Sequence, residues 1–133
     1  MQRNSKSDNE KFTLFEDGTL HLYDNLHEVA ADESVQYEGD LYITKTSLTQ
    51  EEVEGQFDSL LAAEKEKWKQ YMAKVVREQR NKLLAQADIL VNKAVDTGVG
   101  ETEAKAYRQA LRDVPEQEGF PLNVVWPVLE VIR

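Results

Sequence analysis

The 133-residue chain has no cysteine, only two histidines, only three prolines, and no apolar run near the ~18–20 residues that span a bilayer. The missing cysteines exclude disulfides, thiolate metal sites and thiol catalysis, and suit a reducing compartment. The absence of a long apolar run argues against a membrane span, and the opening MQRNSKSDNEK lacks the apolar centre of a secretory signal. His21 and His27 lie six residues apart with Asp24 between them, short of the three or four converging ligands a metal site needs. No glycine loop shaped to cradle phosphate, no nucleophile elbow and no Ser/His/Asp arrangement occurs. The carboxylate pairs Asp32/Glu33, Glu51/Glu52 and Glu64/Glu66 read as solvated charge, since adjacent carboxylates on a helix point apart. No catalytic, cofactor or metal residue is therefore assigned, and the chain does not read as an enzyme.

What the chain does have is charge, unevenly placed. Residues 1–60 hold 14 acidic and 4 basic side chains, whereas residues 61–133 hold 11 and 12. The overall charge of −9 makes a phosphate-bearing partner a poor fit, so nucleic acid is not expected. The stretch from Lys65 to Lys82 carries seven Lys or Arg and reads as the solvated face of a helix.

The spacing predicts an α+β chain. Residues 1–10 are polar and read as a flexible N-terminus. Period-2 alternation on either side of Asp17-Gly18 predicts a hairpin, with strands near 11–15 and 19–23. A second pair is expected at Val35–Tyr37 and Leu41–Lys45 around a Gly39-Asp40 turn, completing a small antiparallel meander over 11–47. Thr49 followed by Glu52 is a capping box, so a helix begins there. Apolar residues then recur in steps of three and four, and no proline interrupts until after Val114.

A helix over 49–96 would be roughly 70 Å long, more than a lone helix usually sustains. Two outcomes are open: pairing with sister copies as a loose coiled coil, dimer or trimer, or a break that folds the helix back. Phe57, Leu61, Trp68, Tyr71, Met72 and Val75 are the candidate oligomerisation residues, because they are too apolar to leave wet. Asp96–Gly100 reads as a turn, and a second helix is expected over 101–113, stopped by Pro115. The two helices make a hairpin, and the tail with Phe120-Pro121 and Trp126-Pro127 is extended.

The strings Arg80–Asp88 (RNKLLAQAD), Tyr107–Asp113 (YRQALRD), Phe120-Pro121 and Trp126-Pro127 resemble, in this order, the tail assembly chaperone (tail fibre assembly) proteins of tailed bacteriophages. The likeness covers about residues 77–128, and the helical module that it marks is expected over 80–133. Ile89 stands where that family carries Trp after the aspartate, which would remove one aromatic from the hairpin core. The resemblance implies a phage protein in the host bacterial cytoplasm that helps a tail or tail-fibre subunit fold, trimerise or attach. It makes Tyr107, Leu111, Phe120 and Trp126 the apolar partner contacts, with Arg108 and Arg112 as a polar clamp. Two alternatives stay open: Phe120 and Trp126 as core, and the arginines paired with Asp88, Asp113 or Glu116 of the same chain. A structural virion component, such as a fibre, adaptor or baseplate-associated protein of the tail, is the competing role.

Overall fold

In a computed structural model the chain is described over residues 1–6, 8–29 and 36–129. It is an α+β protein: strands β1 (Gln2–Lys6), β2 (Phe12–Leu14), β3 (Thr19–Val29) and β4 (Gln36–Lys45), then helices α1 (Gln50–Thr97) and α2 (Glu101–Arg112). Contacts cluster into two compact units, Met1–Trp68 and Lys69–Arg133, each described by itself below.

The first unit is a four-stranded antiparallel sheet in the order β1-β4-β3-β2. Alternation puts Leu20 and Leu22 of β3, Tyr42 of β4 and Phe12 and Leu14 of β2 into one core with Val53, Phe57, Leu60, Leu61 and Trp68 of α1. Leu20, Leu22 and Val53 have no exposed surface. The hairpin at Asp17-Gly18 forms as expected: the Asp17 carboxylate accepts the Thr19 amide at 2.9 Å and sits 3.3 Å from Lys45 Nζ. Those two contacts lower the Asp17 pKa to about 2, the Thr19 bond being the larger cause. Lys65 of α1 lies 2.8 Å from Asp24 of β3, which raises the lysine's pKa and ties the helix to the sheet.

Two expectations fail here, each for a local reason. Residues 2–6 are not a flexible end but an edge strand on β4. Their composition has no strand signature; the anchor is Lys6, whose side chain is only 10% exposed. Its ammonium reaches Asp8 at 2.8 Å and the Glu10 carbonyl at 2.6 Å, and lies 4.0 Å above the Tyr23 ring. Gly39-Asp40, expected as a turn, lies inside β4, opposite an irregularity in β3 between Asp24 and His27. The glycine is needed for close approach: a Cβ at 39 would collide with the Asp24 carbonyl and the Leu26 side chain. Val35, the expected strand start, and the Asp32/Glu33 pair lie outside the described residues.

The capping box is present and reciprocal. Thr49 Oγ1 accepts the Glu52 amide at 3.2 Å, and Glu52 Oε1 accepts the Thr49 amide at 3.1 Å. From there α1 runs 48 residues without a break, so the fold-back alternative does not occur. It ends at Gly98 and Gly100, whose φ of 72° and 76° form a left-handed turn that side-chain-bearing residues rarely adopt.

Two results are expected. Thr49→Ala should cost about 1 kcal/mol of stability in denaturant unfolding; an unchanged midpoint would mean the cap is idle. A depressed carboxylate pKa contributes stability that is present above the unfolded value of about 4 and is lost as pH falls through the folded value. The Thr19 amide signal should therefore titrate near pH 2 with the Asp17 carboxyl, and a midpoint near 4 would show that the contact is absent.

Candidate functional site

The second unit holds the residues to which partner contact was assigned. α2 packs against the end of α1 through a small buried cluster of Val91, Ala94 and Ala104. Glu101 and Lys105 pair four residues apart on α2. Asp113 closes α2 by donating its amide to the Gln109 and Leu111 carbonyls, and a 3-10 turn over Val114–Glu116 follows. The chain then reverses at Glu118–Leu122, where the Asn123 amide donates to the Gly119 carbonyl at 2.7 Å; the Phe120-Pro121 peptide is cis. Residues 124–129 run on without regular secondary structure.

Two contacts hold this tail. The Arg77 guanidinium of α1 lies 5.1 Å from the centre of the Phe120 ring, a cation–π geometry. The Gln117 carboxamide binds the Val125 main chain on both sides, donating to its carbonyl at 2.8 Å and accepting its amide at 2.9 Å. One side chain thus does for Val125 what a neighbouring strand would do. Val125 and Val128, on the held segment, are 78% and 84% exposed, and Leu122 is exposed as well. The ten residues Phe120–Leu129 carry no charge, so the chain presents a neutral, apolar ridge on a fixed support.

The expected partner residues fall into four groups. Leu111 has no exposed surface and cannot touch a partner; α2's apolar face is spent on the unit's own core. Tyr107, Phe120 and Trp126 are half-buried, so each serves the core and still offers an edge. Arg108 binds Asp88 at 3.3 Å, the intramolecular pairing that the sequence left open. Arg112 is exposed and makes no ion pair among the described residues. Ile89 is 68% exposed, so it faces outward and is no part of the hairpin core.

The candidate oligomerisation residues also divide. Phe57, Leu61 and Trp68 are partly covered by the sheet of the first unit, which uses the surface that a sister copy was expected to cover. In the second unit Met72 and Val75 are half-buried and Tyr71 is 57% exposed.

Residues 73–129 match the model of the phage tail assembly chaperone protein family. The matched segment contains Arg77, the end of α1, α2 and the exposed tail, and it supports a role in tail assembly. Residues 1–72, with the whole sheet, lie outside it. No curated protein and no solved structure matches the chain.

Elsewhere the described residues offer little that resembles a reaction centre. His21 sits between the Phe15 and Tyr23 rings, at 4.8 and 6.4 Å, and His27 Nδ1 lies 2.9 Å from the Asn25 carbonyl. Among the described residues no three His, Cys, Asp or Glu side chains converge on a metal position. No helix among them is long and apolar enough to cross a membrane.

Sequence reasoning missed Gln117, Val125 and Val128. Nothing local marks Gln117 as a clamp, since the bond spans eight residues and depends on the turn between them. The uncharged run Phe120–Leu129 was the available signal for the ridge. Gln117→Ala should free the tail, lowering the Val125 order parameter from about 0.85 toward 0.6 while α2 stays rigid. An unmoved Val125 would show that the clamp does not hold it.

Proposed function

We propose that the protein is a non-catalytic binding protein of phage tail assembly, holding a tail or tail-fibre subunit in the host bacterial cytoplasm while that subunit folds, trimerises or attaches. The observation that carries this reading is the coincidence of the matched segment with a neutral, exposed ridge on a folded support. An immature subunit destined for trimerisation has apolar surface that must be kept from water and from wrong partners, and a chaperone needs apolar contact without chemistry.

The proposed contacts are the edges of Tyr107, Phe120 and Trp126 together with Leu122, Val125 and Val128. Arg112, exposed and in no ion pair among the described residues, supplies the polar element able to engage a carboxylate on the client. Arg108 shapes the platform through Asp88 and takes the lesser part. Holding the tail in place before binding lowers the ordering cost of the complex.

A second reading keeps the protein in the finished particle as a fibre, adaptor or baseplate-associated component. It draws on the sheet unit, which is folded, strongly acidic and outside the matched segment. Mass spectrometry of purified particles separates the two, because a chaperone that departs is absent from them.

The main test is co-expression with the phage's own tail-fibre protein. Soluble, trimeric fibre should appear with this protein, fall when Val125→Glu and Val128→Glu are combined, and be lost without it. Equal yields in all three cases would remove the chaperone role.

A further inference from the structure

Within the second unit, α1 is packed on the side of Ala87, Val91 and Ala94, which are buried. The opposite side carries Tyr71, Val75, Glu78, Lys82, Ala85 and Ile89, spaced 4-3-4-3-4, the alternation that keeps one seam along a helix. All but the half-buried Val75 are exposed, including Tyr71 and Ile89 at 57% and 68%. Among the described residues neither Glu78 nor Lys82 takes part in an ion pair, although their order and spacing suit one within the helix.

This seam reads the same in chemical kind from both ends about position 80. Turning one helix end for end sets Tyr71 against Ile89, Val75 against Ala85 and Glu78 against Lys82. Two bulky apolar layers lie outermost, two smaller apolar layers next, and two opposite-charge pairs at the centre. A parallel pair in register would instead set Glu78 on Glu78 and Lys82 on Lys82, like charges at short range, which is unfavourable. A third helix would leave one charge of each central layer without a partner.

We propose that a second copy of this chain covers the seam, the two α1 helices lying antiparallel with their centre at the level of residue 80. The pairing is isologous: the same stripe serves both copies, as two-fold symmetry requires. The contact stretch, from Tyr71 to Ile89, is roughly 27 Å long at 1.5 Å per residue. The central charges fix register and direction, and the outer apolar layers supply the attraction. The proposal stands apart from the client-binding reading, since it uses neither α2 nor the tail.

The test combines solution mass with directed cross-linking, which the cysteine-free chain makes clean. The natural protein should have the mass of two chains. Lys82→Glu alone and Glu78→Lys alone should each drop it to the mass of one chain, and the double exchange should restore two. Circular dichroism confirms that the helices persist in every variant. In an antiparallel pair, V75C mixed with A85C should form a disulfide-linked dimer under mild oxidation. Neither variant should link to itself, because each pair of identical positions lies about 15 Å apart along the axis, beyond the ~7 Å that a disulfide bridges. A single-chain mass at every concentration, a three-chain mass, a double exchange that fails to restore the pair, or self-linkage of V75C would each overturn the proposal.

Discussion

Everything in this fold depends on covering the apolar side chains of one 48-residue helix. An isolated helix gains too little from its own hydrogen bonds to persist in water, and most of its stability comes from an apolar face laid against something else. α1 meets that need separately in each unit. In the first, Val53, Phe57, Leu60 and Leu61 are covered by a sheet; in the second, Val91 and Ala94 are covered by α2. The start is fixed by the reciprocal Thr49–Glu52 cap and the end by two left-handed glycines.

The second unit builds its core largely from small aliphatic residues and leaves Tyr71, Ile89, Leu122, Val125 and Val128 exposed. Its helix contact is built from small residues, and its tail is held by one glutamine and one arginine–aromatic contact. That arrangement is the one on which the proposed binding role rests. A catalyst concentrates titratable groups in a cleft, whereas this unit spreads neutral aliphatic side chains over a held ridge. Arg108 and Asp88 are among the charged groups that shape the support. The sheet unit carries most of the acidic residues.

Much of this was legible in the sequence where signals are local. The capping box, the Asp17-Gly18 hairpin, the Gly98–Gly100 stop and the limits of α2 all follow from residues within a few positions of each other. The matched family was legible as well, in the ordered strings from Arg80 to Pro127. What escaped depends on contacts distant in sequence or on backbone proximity. β1 exists because β4 has a free edge and Lys6 finds Asp8, Glu10 and Tyr23, not because QRNSK favours a strand. Gly39 looked like a turn because close approach of a neighbouring strand leaves the same mark on sequence as a turn does. Leu111 looked like a contact because amphipathic spacing marks an apolar face without saying whether the chain itself covers it.

The central claim is that α1 is one continuous helix supported by a core in each unit. Amide hydrogen exchange along the free protein tests it most directly. Slow exchange is expected from Val53 through Ala94, including residues 69–86 between the two buried clusters, with fraying confined to the helix ends. Exchange at unfolded-chain rates anywhere in 69–86 would show two helices joined by a loose link, and would contradict the account.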